Sequence, residues 1–487
     1  MEWNRLKGAY IEFFSIEDMD AIHATTLKIL KDIGLNVTSD QALEIYSDAG
    51  ADVNRSSKMV KFNENIIDEA IAATPETFIW QARNPDKNLV MGDTTVHFAA
   101  AACPPFVHDL DTGQRRPATY QDCINMVKLE NALERVCDSF CPVFPQDIPE
   151  GTANFYMMRA MVENSDKCLR GRINGAQVAL DSIKIAKMVE ESTSDEMKGP
   201  NMLALTDTIS PLRTDDLIVD GLIEYVKQGY PVILSSEIMA GGSGPATLAG
   251  TLALQNAEIL SHVVLCQKIN PGIPLIYGTT SSIMDMKTGN LRYGAVEMGM
   301  INAATAQLSR YYGMPCRGAA GCSDSKILDM QAGYETGINI LLAALGGVNY
   351  LMQTIGCLEM GMAVNYEKII IDHDILGSIV RCLEGIRVDS ESLAFDVIRN
   401  VGAGGTFLTV PHTLESFRRE HFISELADTS NLAQWVEEGS QRIENKAKER
   451  VKDILANHKP NPLSDNVITE LDQMEQEIKK RAASQVR

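Results

Sequence analysis

The chain has 487 residues, 65 of them acidic against 44 basic, for a formal charge of −21. A surface of that sign is repelled by nucleic acid and by anionic membranes beyond short range, so neither is an expected partner, whereas a small cation is attracted. The ten cysteines are too sparse for a disulfide framework, and many lie in apolar runs, as Cys266 does in Val-Val-Leu-Cys, which reads as reduced thiols of a cytoplasmic protein.

The opening Met-Glu-Trp-Asn-Arg-Leu has neither the basic start nor the apolar centre of a secretion signal. Residues 16–73 carry helical spacing, first Ile22, Leu27, Leu30 and Leu35, then Leu43, Tyr46, Ile66, Ile67 and Ile71, which predicts an N-terminal helical layer. Between 77 and 118 the pattern changes to short β-rich pieces, Thr77-Phe-Ile-Trp, Thr95-Val-His-Phe and Phe106-Val-His-Asp, separated by turn residues. An antiparallel insert or cap is expected there.

From 136 onward apolar runs alternate with helical stretches, the pattern of βα units on a parallel sheet. Strands are expected near 138–144, 168–173, 201–206, 231–236, 273–278, 314–319, 348–355 and 405–410. Eight units predict an α/β fold of the (β/α)8 TIM-barrel type, with a doubly wound sheet as the alternative. The expected layout is an N-terminal layer with insert over 1–135, the barrel over 136–426 and a helical tail over 427–487. The longest apolar stretch, 338–352, is broken by Gly346-Gly347 and Asn349-Tyr350 and falls short of the roughly 20 residues that span a bilayer. It reads as a core helix entering a core strand. In the tail, Trp435, Ile443, Val451, Ile454 and Leu455 share one face, to be covered by the barrel or by a neighbouring subunit. Enzymes of this size commonly form symmetric assemblies, and a homo-oligomer is expected.

Residues just after barrel strands gather at one face, where barrel enzymes keep their chemistry. After the expected strands come Phe144, Asp207, Glu237, Tyr277, Arg317, Asp324, Gln353, Glu359 and His412. Gly241-Gly-Ser-Gly-Pro-Ala precedes a helix, and glycines let backbone amides approach a ligand closely. The loop lacks the Lys-Ser/Thr of a P-loop, however, and does not match the dinucleotide fingerprint. Arg317 presents a planar fork that would hold a carboxylate bidentately, or it pairs with Asp324 or Asp329 in its own loop. Cys137 and Cys141 lie about one helical turn apart and Cys316 and Cys322 flank a strand end, yet structural zinc sites show tighter clustering. No metal is expected, and a lone His412 is either a ligand or a polar contact.

Three segments, Arg317-Gly-Ala-Ala-Gly-Cys-Ser-Asp-Ser-Lys-Ile-Leu-Asp-Met-Gln-Ala-Gly-Tyr-Glu335, Gly241-Gly-Ser-Gly-Pro-Ala-Thr-Leu-Ala-Gly250 and Gly404-Gly-Thr-Phe-Leu-Thr-Val-Pro-His-Thr413, occur in the order found in the trimethylamine methyltransferase superfamily, which the chain resembles to about residue 460. Founding members carry pyrrolysine, an imine electrophile that orients a tertiary amine, whereas this chain shows only standard residues. It thus resembles the members lacking pyrrolysine. The resemblance implies a quaternary amine of the glycine betaine, proline betaine, carnitine or γ-butyrobetaine type as methyl donor, since its fixed charge needs no such activation. It also implies cob(I)alamin on a partner corrinoid protein as acceptor, with no cofactor held tightly by this chain.

In that reading the loop Gly241, Gly242, Ser243 and Gly244, together with Ser323, Asp324 and His412, faces the corrin. Glu237 and Asp207 act electrostatically on the ammonium. A quaternary ammonium donates no hydrogen bond, so its site needs aromatic faces and carboxylates; Phe144, Tyr277, Tyr350, Phe407 and His97 are the candidates, with Arg317 and Gln353 for the rest of the substrate. The competing readings are a component that binds a quaternary amine or a corrinoid protein without turnover, and a zinc-dependent corrinoid methyltransferase using cysteine ligands.

Overall fold

Short parallel strands with alternating inward and outward side chains build the centre of the molecule. The computed structural model describes residues 5–7, 10–100, 103–193 and 199–485. The barrel strands are β1 (His97–Phe98), β2 (Asp138–Ser139), β3 (Cys168–Gly171), β4 (Met202–Asp207), β5 (Val232–Ser236), β6 (Leu275–Thr279), β7 (Cys316–Ala319) and β8 (Tyr350–Met352). They form one eight-stranded sheet in which β2 to β8 follow chain order and β1 pairs in parallel with β8. The sheet closes through a parallel bridge between Phe98 and Val136, with the Cys137 N–H donating to the Phe98 carbonyl at 2.7 Å. A helix follows every strand: α1 (Tyr120–Ala132), α2 (Ala153–Asn164), α3 (Ala176–Ser192), α4 (Asp216–Lys227), α5 (Leu248–Ile269), α6 (Val296–Tyr311), α7 (Met330–Gly346) and α8 (Tyr366–Leu383). The (β/α)8 expectation is met.

The strand expected near 405–410 is not one. Those residues run irregularly into the helix Pro411–Glu420, because the edge of β8 is already occupied by β1 and no ladder is left for Phe407-Leu-Thr-Val to join. The eighth stave is instead Thr95-Val-His-Phe, which looked like part of the antiparallel insert. The rest of that insert is antiparallel: Phe78–Trp80 pairs with Leu89–Met91, and Phe106–His108 with Arg115–Pro117.

The hairpin Phe78–Trp80/Leu89–Met91 stoppers the amino end of the barrel. Trp80, Leu89 and Met91 form one buried cluster with the inward-facing Cys168, Leu203, Ile233, Ile276 and Tyr350, and Trp80 meets Tyr350 edge to face at 5.7 Å. Outside the barrel, the N-terminal helices Ile16–Lys28, Asp40–Asp48 and Glu64–Ala73 start at the side-chain caps Ser15, Ser39 and Asn63, each supplying an acceptor to an otherwise unpaired amide. They lie on α5, where the Tyr46 hydroxyl donates to the Ser261 carbonyl at 3.1 Å. That cover explains why α5, long and apolar enough to cross a membrane, is buried on nearly every side.

The helix Ile443–Asn457 packs between α8 and α1 with Ala447, Val451 and Ile454 buried, so this part of the expected apolar face is covered by its own barrel, whereas Ile443 stays exposed and Trp435 lies half-buried on the arm that precedes this helix. The helix Asp465–Gln485 lies against α2 and α3, where Arg159 pairs with Glu475 at 2.5 Å. Between α8 and these helices runs an arm, residues 386–442, whose short helices Phe395–Val401, Pro411–Glu420 and Leu432–Glu437 contain no buried residue. Ile386, Phe395, Leu408 and Leu414 stand exposed on it.

Candidate active site

Inside the barrel the apolar floor gives way to charge toward the carboxyl ends of the strands. On β3, Arg170 points inward and its Nε donates to Asp138 Oδ2 of β2 at 2.5 Å, while the Tyr350 hydroxyl donates to the same oxygen at 2.7 Å. The guanidinium lies over the Phe140 ring, 3.8 Å from its centroid. Burial opposes the Arg170 charge most strongly, but Asp138, Tyr350 and Glu130 with other neighbours together more than offset it and leave the pKa raised. Its Nη2 is buried with no hydrogen-bond partner.

Across the barrel, Arg317 of β7 is equally buried. Its Nη1 donates to Ser235 Oγ at 3.0 Å, to the Thr279 carbonyl at 2.8 Å and to Thr280 Oγ1, and its Nε approaches Met352 Sδ at 3.1 Å. Among the described residues no hydrogen bond uses Nη2. Desolvation draws its pKa down, and the nearby Asp207 draws it back up. The ion pair with Asp324 or Asp329 weighed from the sequence does not form: Asp324 takes Arg292 at 2.5 Å, and Asp329 caps α7.

Asp207 ends β4, and its Oδ1 is buried without a partner. Glu237 follows β5 and accepts a hydrogen bond from the Tyr293 hydroxyl. Its side chain reaches solvent at the barrel mouth, yet walls stand close enough on the other sides that desolvation, reinforced by Asp207, raises its pKa. Tyr293 is positioned by the loop around Asp324, whose carboxylate accepts from Arg292 Nε at 2.5 Å and from the Gly294 N–H at 2.9 Å. Ser323 in turn donates to Glu335 at 2.6 Å, and Glu335 also accepts the Asp324 N–H at 2.8 Å. Ser323 and Asp324 therefore brace the loop that carries Tyr293.

A cavity of about 280 Å³ opens among Phe140, Arg170, Arg172, Leu205, Asp207 and Met352. A larger cleft of about 580 Å³, beside Leu27, Lys31, Gly50 and Phe62, lies in the N-terminal layer, and no residue bearing a buried unpaired polar atom lines it. Arg172 holds its place at the barrel cavity through Asn154 at 3.0 Å and Cys103 Sγ at 3.1 Å.

Several expected residues stand elsewhere. Tyr277 alternates with the inward Ile276 and Gly278, so its ring points out to the helices, and its hydroxyl donates to Asn256 of α5 at 3.0 Å; it does not line the cavity. Phe407 and His412 lie on the arm, outside the barrel sheet, because the strand meant to carry them is absent. His97 faces inward on β1, but its Nε2 bonds the Val90 carbonyl of the amino-end hairpin at 2.8 Å, and burial lowers its pKa to about 4. Tyr350 is engaged with Asp138. Gln353 is buried with its Oε1 accepting from the Cys322 thiol at 3.4 Å. Phe144 is exposed in the loop after β2.

The Gly241–Gly244 loop closes on itself: the amides of Gly241, Gly242 and Ser243 donate to the carbonyls of Gly244, Met239 and Met239. Gly241 has φ +92°, the left-handed region that favours glycine. With these amides used inside the turn, and α5 starting only at Leu248, a phosphate cradle is not built. Cys137 is half-buried and Cys141 buried, and desolvation lifts both thiols well above the usual range. Among the described residues no three or more His, Cys, Asp or Glu are gathered to hold a metal ion.

Sequence reasoning missed Arg170, Arg172, Phe140, Met352 and Tyr293. A signal existed for Arg170, an arginine inside the short strand Cys-Leu-Arg-Gly, where an exposed charge was not an option.

A closed parallel barrel with an internal cavity at the carboxyl ends of its strands defines a barrel enzyme acting on a small molecule. The profile of the trimethylamine methyltransferase (MTTB) family matches residues 2–485, and the chain belongs to that family of methyltransferases. It is 38% identical to the glycine betaine methyltransferase of Desulfitobacterium hafniense strain Y51, over 93% of this chain and 94% of that protein. It is 33% identical to the trimethylamine methyltransferase MttB of Desulfitobacterium hafniense strain DSM 10664 / DCB-2, over 96% and 94% of the two chains. A crystal structure of the Methanosarcina barkeri monomethylamine methyltransferase aligns over 90% of this chain and 94% of its own at 12% identity, with a TM-score of 0.45.

Proposed function

We propose that this chain transfers a methyl group from a quaternary amine of the betaine type to cob(I)alamin on a cognate corrinoid protein, releasing the tertiary amine. The observation that carries this is the barrel cavity lined by Arg170, Asp207 and Met352, with Arg317 buried against Met352 and Glu237 beyond the end of β5, in a chain so similar to a glycine betaine methyltransferase. Cob(I)alamin arrives as a co-substrate and supplies the nucleophile.

The work left to the protein is positioning. A quaternary amine already carries a good neutral leaving group, so no general base or covalent nucleophile is needed, and holding the methyl group in line at the mouth supplies the rate. Asp207 and Glu237 attract the ammonium. Because positive charge on nitrogen fades in the transition state, carboxylates in tight contact would stabilise the bound substrate more than the transition state. A Glu237 with a raised pKa and a Tyr293 partner is a softened counter-charge. Arg317, with Nη2 unused, is the proposed contact for a substrate carboxylate. The test is the absorbance change of cob(I)alamin on alkylation, with a panel of quaternary and tertiary amines. Alkylation by a carboxylated quaternary amine is expected; alkylation by tertiary amines alone would overturn the assignment.

We also infer that the protein works in the cytoplasm as a homo-oligomer. The exposed apolar side chains of the arm, such as Phe395, Leu408 and Leu414, favour burial against a second copy. Light scattering should show an assembly that Leu408→Asp with Leu414→Asp reduces in size; a monomeric wild type would refute it.

A further inference from the structure

Arg170 is set deeper along the strands than either carboxylate. Arg170 pairs in register with Leu203 of β4, and Asp207 lies four residues, about 13 Å of strand length, closer to the carboxyl end of that strand. Glu237 lies beyond the end of β5, whose Ser235 pairs with Asp207. Arg317, by contrast, pairs with Gly278 and through it with Ser235, the partner of Asp207, so in register Arg170, not Arg317, lies beneath the carboxylates. A bare tetraalkylammonium would need no cation beneath it, and two buried guanidiniums would repel it.

The hydrogen bonding of Arg170 is also incomplete. Arg170 is oriented by Asp138, Tyr350 and the Phe140 ring, yet its Nη2 has no partner. A buried charged donor left unpaired is costly, and an anion in the adjoining cavity removes that cost. Nη1 of Arg170 and Nε of Arg317 approach the same sulfur, Met352 Sδ, at 3.5 and 3.1 Å, so the two guanidiniums converge on one small volume.

Resting on the quaternary-amine reading, we propose that Arg170 is a specificity-determining residue which, with Arg317, forms a two-arginine subsite for the carboxylate of a zwitterionic substrate. The carboxylate sits deep and the ammonium lies toward Asp207 and Glu237. That polarity aims the N-methyl groups out of the barrel, where a nucleophile on another protein can reach them. It also turns away choline-like amines, which bring no anion to the arginines.

Isothermal titration calorimetry on the full chain tests this with glycine betaine, γ-butyrobetaine, choline and tetramethylammonium. Wild type should bind at least one carboxylated ligand at least about tenfold more tightly than choline, as expected for a charged hydrogen bond. Arg170→Gln should lose about 10- to 100-fold for that ligand and nothing for choline, and Arg170→Lys should recover part of the loss. Should Arg170→Gln fail to fold because Asp138 is stranded, the double variant with Asp138→Asn removes the stranded charge and the same comparison is made. Equal wild-type affinity for choline, or equal loss for all ligands in a folded variant, would overturn the subsite. Methyl transfer to cob(I)alamin separates the two levels: efficient transfer from choline keeps the methyltransferase reading and sinks the subsite, whereas carboxylate-selective binding without transfer from any amine does the reverse.

Discussion

Arg170 and Arg317, on strands separated by three others, are joined through Met352, whose Sδ lies 3.5 Å from Nη1 of the first and 3.1 Å from Nε of the second. Two like charges thus share one soft, neutral neighbour. Met352→Leu conserves volume and should cost under about 1.5 kcal/mol of stability. Because both guanidiniums lose their common contact, kcat/KM should fall several-fold with KM taking most of the change. Unchanged kinetics would mean that the sulfur only fills space.

The raised pKa of Glu237 has a direct consequence for pH. A carboxyl that holds its proton more tightly in the folded than in the unfolded chain favours folding at low pH, and that benefit is lost as pH rises through its folded pKa. Glu237→Gln, permanently neutral, should therefore have a higher urea midpoint than wild type at neutral pH. The gap should close as pH falls toward the ordinary glutamate value of 4.5. A gap that grows toward acid would show that the carboxylate is stabilised, not strained.

His97 runs the other way. Its pKa is about 4 in the fold against 6.5 when exposed, so the unfolded chain binds the extra proton first and stability drops as pH falls across that interval. The shift corresponds to roughly 3 kcal/mol. His97→Gln, able to keep a donor to Val90, should flatten the loss of stability between pH 6.5 and 4 relative to wild type. Urea titrations at several pH values would give the two slopes; identical slopes would refute the assignment.

Glu258 of α5 accepts from the hydroxyls of Thr208 at 2.6 Å, Ser210 at 2.8 Å and Ser236 at 2.5 Å, and from the Leu212 N–H at 2.9 Å. It thereby pins the loop that follows Asp207. Glu258→Gln replaces an acceptor with a donor among four donors and should cost about 3 kcal/mol. Activity should fall as well, through loss of Asp207 placement. Normal stability in this variant would mean that the loop is held by packing alone.

The repeating βα pattern was legible in the sequence, because runs such as Val232–Ser236 and Leu275–Thr279 are apolar on both faces and read as buried parallel strands. His97–Phe98 was not, since two paired residues carry too little periodicity to mark a stave, and the apolar Phe407-Leu-Thr-Val imitated one on composition. Arg317 was conspicuous at a strand end. Tyr277 was misplaced by one step of alternation: which of two adjacent residues faces the barrel depends on the pairing of Gly278 with Arg317, and a single strand does not reveal its register. Phe140 and Met352 acquire meaning only beside Arg170, through contacts that bring distant segments together.

The helix Ile443–Asn457, wedged between α8 and α1, sets the order in which the chain can be finished on the ribosome. At ~5–20 residues per second, all eight staves emerge several seconds before this helix does. Until then the seam between first and last barrel helices stays open and its apolar lining is exposed to the cell. A premature stop after the eighth barrel helix would thus yield a full set of strands, able to close between β1 and β2, around which the groove between α8 and α1 lacks its cover.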